Sequence, residues 1–88
     1  MRVGQIVFSK CGRDKGKTFV IINILDEYVF LTDGNLRPLA QPKKKKAKHV
    51  QPKNHFFDLE QEIFKNGRGL QDADIRKFIK ASMLRDYE

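Results

Sequence analysis

The chain has 88 residues, of which 40% are hydrophobic, and a formal net charge of +7. This length allows one small domain with a modest core and excludes a fold with a large catalytic cleft. Its one cysteine, Cys11, excludes an internal disulfide and a four-cysteine zinc site and fits a reducing compartment.

The positive charge is concentrated in the first part of the chain. Residues 1–53 hold 12 Lys or Arg against 4 Asp or Glu, whereas residues 54–88 hold 6 against 7. Clustered positive charge favours a nucleic-acid partner over a general role in solubility. No apolar run approaches the roughly 20 residues that span a membrane, and the first residues lack the apolar stretch of a signal peptide. We therefore expect a cytoplasmic protein with no membrane contact.

Strand patterns dominate the first 32 residues. A short strand over residues 4–8 leads into a basic loop, residues 9–17, which contains two glycines. Residues 19–25 are rich in β-branched side chains and almost continuously apolar, which predicts a central strand covered on both faces. A tight turn at residues 26–27 then precedes a return strand over residues 28–32.

The next segment predicts the rest of a small sheet. Residues 33–34, Asp-Gly, indicate a hairpin turn, and residues 35–37 a short fourth strand. The four lysines 43–46 cannot bury themselves, which predicts a mobile loop. Residues 49–50 then close a barrel before Pro52. Five short strands with these turns predict a mainly β fold, a small SH3-like barrel.

The remaining residues predict helices. One helix spans residues 58–65, with Asp58 as its cap and residues 66–67 as its end, and a strand at residues 56–59 is the alternative. A second helix over residues 72–84 has an acidic start. Its apolar stripe comprises Leu70, Ile75, Phe78, Ile79 and Met83. We expect a barrel of residues 1–53 and a helical C-terminal extension of residues 54–88 that packs on it.

Two basic segments are the candidate binding sites. In the first loop, glycines allow backbone N–H groups to approach a phosphate that nearby cations neutralise. The lysine tract is predicted to act as a flexible polycation with little sequence preference. Tyr28 is the aromatic candidate for stacking on a base, with core or edge packing as the alternative. The candidate RNA-binding residues are Lys10, Arg13, Lys15, Lys17, Arg37, Lys43, Lys44, Lys45, Lys46 and Lys48.

No residue pattern indicates catalysis. The carboxylate pairs lie in predicted turns and helix starts, and His49 and His55 lack the other residues of a metal-ligand set. We expect no enzyme activity, no cofactor and no metal.

Residues 4–10, 12–17 and 20–31 together resemble the KOW motif, with Gly16 as its characteristic glycine. With the Lys-His-Val-Gln-Pro ending at residues 48–52, this part of the chain is similar to the eukaryote-type large-subunit ribosomal protein fourteen family. It also resembles that family's short bacterial relatives, the KOW-domain RNA-binding proteins. The resemblance covers about the first 52 residues and implies a KOW barrel that binds RNA.

We therefore predict a monomeric RNA-binding module that grips the phosphate backbone of structured ribosomal RNA with two basic loops. Ribosomal proteins are expected as further partners. One alternative is a KOW-type protein-interaction module in transcription or translation regulation. The other is a nonspecific DNA-binding protein.

Overall fold

The computed structural model describes residues 1–61 and 69–85. The predicted mainly β fold is confirmed: five strands form one antiparallel sheet, and a helix lies near the C-terminus. The elements are β1 (Gln5–Ser9), β2 (Thr18–Leu25), β3 (Tyr28–Thr32), β4 (Lys43–Lys46), a 3-10 helix η1 (Ala47–His49), β5 (Val50–Phe56) and α1 (Asp72–Arg85).

The sheet curls around an apolar core. Its strand order is β4-β3-β2-β1-β5, yet Val50 of the edge strand β5 packs in one cluster with Val29 and Leu31 of β3. A sheet whose non-adjacent strands share one core cluster must curve, and this curvature agrees with a small SH3-like barrel. The barrel is open, because within the described residues no ladder joins β4 to β5. The cluster comprises Val7, Phe19, Ile21, Val29, Leu31 and Val50.

The opposite face of the sheet is covered by α1. Side chains alternate between the two faces of a strand, so Val20 points away from its buried neighbours Phe19 and Ile21. Val20 and Ile6 form a second cluster with Ile75 of the helix. The central strand is therefore covered on both sides at residues 19–21, as predicted, but the predicted cover is wrong for Ile24 and Leu25, which are exposed at the end of β2.

The apolar face of α1 differs from the predicted stripe at one end. Ile75 is fully buried, but Met83 is 44% exposed and Ser82 is buried in its place. With about 100° per residue, position 82 lies about 20° from position 75 around the helix axis, and position 83 about 80° from it. The Ser82 hydroxyl is satisfied by donating to the carbonyl oxygen of Ile79 at 2.8 Å.

The segment before α1 agrees with the predicted helix start at Asp58. Residues 59–61 are helical, and the Gln61 N–H donates to Oδ1 of Asp58 at 3.0 Å, a capping contact. The rest of the predicted first helix and its end at residues 66–67 lie outside the described residues. The alternative strand at residues 56–59 is wrong, because β5 ends at Phe56.

The predicted hairpin at residues 33–34 and strand at residues 35–37 are wrong. The Asp33 carboxylate accepts the N–H groups of Asn35 and Arg37, both at 2.9 Å, and holds this segment as a loop. An aspartate that satisfies nearby backbone donors removes their need for a strand partner. The loop also contacts α1, since Gly34 has a φ of 73° and a Cβ there would collide with the Asp72 carbonyl oxygen.

The prediction of a mobile loop at the four lysines is also wrong. They form β4, an edge strand paired with β3 from Tyr28↔Lys46 to Leu31↔Lys43. Lysine suits an edge strand, because its charge discourages further pairing and its methylene groups cover apolar surface. The barrel also extends past Pro52, since β5 continues to Phe56.

Candidate nucleic-acid interface

The loop between β1 and β2, residues 10–17, is held by its own backbone. Gly12 and Gly16 both have a φ of 83°, a conformation that favours glycine. The N–H groups of Lys15, Gly16 and Lys17 donate to Gly12, Ser9 and Asp14 carbonyl oxygens at 2.8–3.2 Å. The amides of these three residues are therefore occupied within the loop.

The loop carries a carboxylate that the candidate site residues surround. Asp14 lies 3.9 Å from the Lys17 ammonium, 3.5 Å from the Arg37 guanidinium and 3.9 Å from the Lys43 ammonium. The Asp14 side chain is 8% exposed, whereas the three cations are 36–47% exposed. Three cations around one anion leave a positive excess at the surface. We call Asp14, Lys17, Arg37 and Lys43 the Asp14 cluster.

Lys45 contacts the same loop but does not lie beside Asp14. Its ammonium donates to Oγ of Ser9 at 2.5 Å and to the carbonyl oxygen of Cys11 at 2.6 Å. Ser9 is almost fully buried, so Lys45 joins β4 to the base of the loop. Two of the three ammonium donors are engaged inside the protein.

The lysines of β4 are divided between the two faces of the sheet. Lys43 and Lys45 pair with Leu31 and Val29, which point into the core, and cross-strand partners share a face. Lys44 and Lys46 therefore lie on the outer face.

On that outer face, the Lys44 ammonium lies 4.3 Å from the centroid of the Tyr28 ring. Tyr28 is half-buried, and this cation–π contact occupies one side of the ring. Lys46 is paired with Tyr28 along the same edge. The structure thus supports the edge-packing interpretation of Tyr28 and places Lys44 and Lys46 apart from the Asp14 cluster.

The other predicted cations border the same loop. Lys10, Arg13 and Lys15 are exposed along it. Lys48 is exposed in η1, and the Lys10 N–H donates to the carbonyl oxygen of the adjacent His49 at 2.9 Å. The structure thus brings cations from loop 10–17, β4 and η1 to one edge of the barrel.

Sequence reasoning did not identify Asp14 or Ser9 as part of this site. The available signal was a single acidic residue inside an otherwise basic, glycine-bounded loop. Such a residue can be a counter-charge, but its partners Arg37 and Lys43 are remote in sequence and only the fold places them beside it.

Two further observations concern other classes of site. Within residues 1–61 and 69–85, no group of three or more His, Cys, Asp or Glu side chains is arranged to hold a metal ion. None of the helices in this part of the chain is long and apolar enough to cross a membrane.

Comparison with models of known protein families finds no match. Individual proteins do match, among them several named large ribosomal subunit protein eL14. That of Pyrobaculum aerophilum is 28% identical over 88 residues, covering 97% of this chain and 77% of the relative. That of Staphylothermus marinus is 27% identical over 89 residues, covering 99% of this chain and 84% of the relative.

A third relative, from Methanococcus maripaludis, is 32% identical over 60 residues, covering 68% of this chain and 73% of the relative. The shared name of these relatives agrees with the family resemblance of residues 1–52. The chain belongs to the family of large ribosomal subunit protein eL14.

Proposed function

We propose that this chain is a non-catalytic component of the large ribosomal subunit that binds ribosomal RNA in the cytoplasm. The names of its relatives support assembly with the ribosome. The observation that carries RNA binding is the gathering of cations from loop 10–17, Arg37, β4 and η1 at one edge of the barrel.

The chemistry of this edge suits a phosphate backbone. Lysine and arginine neutralise phosphates and release counterions, which supplies affinity without reading sequence. The exposed side chains of Arg13 and Lys15 extend the positive surface beyond the Asp14 cluster. Recognition of structured RNA would then rest on the spacing of its phosphates, that is, on its shape.

The division of the chain into a barrel of residues 1–53 and an extension of residues 54–88 is part of the proposal. Helix α1 supports it, because Ile75 packs on Ile6 and Val20, and the Phe57 ring contacts the Phe78 ring. In this arrangement the barrel binds RNA and the helix stabilises the barrel. The chain would act as a monomer within the ribosome.

A protein-interaction role is the second candidate, and one observation favours it. Ile24 and Leu25, near the tip of the β2–β3 hairpin, are 36% and 57% exposed. Exposed apolar side chains on a rigid hairpin can contact a partner protein. A neighbouring ribosomal protein would suit this surface.

Titration of large-subunit ribosomal RNA, transcribed in vitro, with the full-length chain tests the proposal. If five to eight phosphates are neutralised, log K should fall with log salt with a slope on the order of −4 to −7. Duplex DNA of equal length serves as competitor. A flat salt response, or equal binding to the DNA, would contradict binding of structured RNA by the basic edge.

A further inference from the structure

The cations of loop 10–17 and β4 differ in their availability to a ligand. In Lys45 the ammonium makes hydrogen bonds of 2.5 and 2.6 Å to the protein. The ammonium groups of Lys17 and Lys43 lie 3.9 Å from Asp14, beyond hydrogen-bond length. Within the described residues neither group makes a closer polar contact, so their N–H donors remain available to a ligand.

Asp14 nevertheless restricts where these cations lie. Its buried carboxylate attracts side chains from two remote segments, Arg37 from loop 33–37 and Lys43 from β4. Arg37 is also fixed through its backbone, since its N–H donates to Asp33 and its carbonyl oxygen accepts from Thr32 at 2.6 Å. A long cationic side chain loses much conformational entropy when it binds a ligand in one geometry. Prior restriction lowers that cost.

The net charge of the cluster favours an anion. Lys17, Arg37 and Lys43 contribute three positive charges and Asp14 one negative charge. The half-exposed cations lie around the buried carboxylate, so an approaching ligand meets donors before it meets the carboxylate. Three convergent cationic donors match the oxygens of a phosphodiester group.

We propose that Lys17, Arg37 and Lys43 form a preorganised site for one backbone phosphate of the bound RNA, with Asp14 as the positioning residue. This site rests on the proposed function and deepens it. It separates cations that bind phosphate in a defined geometry from those that contribute only diffuse charge. Removal of the negative charge at Asp14 should therefore weaken RNA binding although it makes the protein more positive.

The test compares two substitutions that change the net charge equally. Asp14→Asn removes the buried carboxylate, and Asp26→Asn removes an exposed one in the β2–β3 turn, where φ is 55° and asparagine is tolerated. In titrations of large-subunit ribosomal RNA, Asp26→Asn should bind as tightly as wild type or more tightly. Asp14→Asn should bind about threefold to tenfold more weakly, as expected for coupled neighbouring groups.

A double-mutant cycle separates positioning from loss of fold. Lys43→Gln should weaken binding less in the Asp14→Asn background than in wild type, whereas Lys48→Gln should have the same effect in both backgrounds. Thermal unfolding of each variant is measured alongside. If Asp14→Asn is unfolded at the assay temperature, the test rests on the single substitutions Lys43→Gln and Lys48→Gln in the wild-type background. Lys43→Gln should then reduce RNA affinity more than Lys48→Gln does.

Two outcomes would overturn the site while leaving RNA binding intact. One is a folded Asp14→Asn variant that binds as tightly as Asp26→Asn. The other is an equal reduction of RNA affinity by Lys43→Gln and by Lys48→Gln in the wild-type background. Absence of RNA binding by the wild-type chain would overturn the proposed function itself, and the phosphate site with it.

Discussion

The ammonium group of Lys45 donates a hydrogen bond of 2.5 Å to the hydroxyl oxygen of Ser9. This contact joins β4 to the end of β1, where loop 10–17 begins. A residue inside a run of lysines thus stabilises the fold, while its neighbours along the strand face elsewhere.

Substitution of Lys45 should therefore destabilise the protein. Lys45→Met retains the length of the side chain and removes the charged donor, so the free energy of unfolding should fall by about 1–3 kcal/mol. Lys48→Met, which removes the same charge from an exposed position in η1, should change it by less than about 0.5 kcal/mol. Urea denaturation measures both. Equal midpoints would show that the Lys45 contact has no structural role.

Packing of α1 on the sheet predicts a difference between two positions of the helix. Ile75 is fully buried against Ile6 and Val20, so Ile75→Ala should lower the free energy of unfolding by about 2–5 kcal/mol. Met83 is 44% exposed, and Met83→Ala should cost much less. Thermal unfolding followed by circular dichroism tests this. A small effect at Ile75 would indicate that the helix contributes little to the stability of the barrel.

The contact between loop 33–37 and α1 can be tested with glycine substitutions. Gly34→Ala introduces a Cβ against the Asp72 carbonyl oxygen at a φ of 73°, whereas Gly16 has a φ of 83° and open space around it. Gly16→Ala should cost about 1–2 kcal/mol from the left-handed backbone alone. Gly34→Ala should lower the free energy of unfolding by more than Gly16→Ala does, because the backbone of loop 33–37 or of α1 must also move to make room for the Cβ. Similar losses in chemical denaturation would argue against close approach of the two segments.

Electrostatic binding at the basic edge predicts unequal effects of two exposed lysines. Lys15 lies in loop 10–17, and Lys77 lies on α1. Lys15→Ala should reduce the magnitude of the slope of log K against log salt by about one, as for a lost phosphate contact. Lys77→Ala should leave the slope unchanged. A reduction of the slope by Lys77→Ala equal to that by Lys15→Ala would show that the RNA contacts the protein without preference for this edge.

The geometry of an arginine contact can be separated from its charge at Arg13, which is exposed in the same loop. Arg13→Lys retains the charge but removes the planar fork that binds a phosphate or guanine through two parallel hydrogen bonds. We expect weaker discrimination between structured ribosomal RNA and duplex DNA in competition titrations. Lys15→Arg is the control, and it should not lower discrimination. Unchanged discrimination in Arg13→Lys would assign Arg13 to diffuse charge.

The strand and helix patterns were predictable where an apolar period is strong. Residues 19–21 of the β2 run and Ile75 of the helix stripe required cover, and the structure supplies it, whereas Leu25 and Met83 at the ends of these patterns are exposed. Prediction was wrong over residues 33–37 and 43–46, where few apolar residues define a face. At residues 33–37, hydrogen bonds to the Asp33 carboxylate hold the chain as a loop. At residues 43–46, the lysines pair with the edge of β3 and so form β4.

The sequence by itself determined the basic character of the strand-rich part, the apolar faces of β2 and α1, and the resemblance to a ribosomal protein family. These properties depend on composition and on short-range periodicity. Only the tertiary structure decided which cations lie together, because Asp14, Arg37 and Lys43 come from three separate segments. It also divided the lysine run, since pairing with β3 sends alternate side chains to opposite faces. A run of identical residues contains no information about that division until a neighbouring strand sets the register.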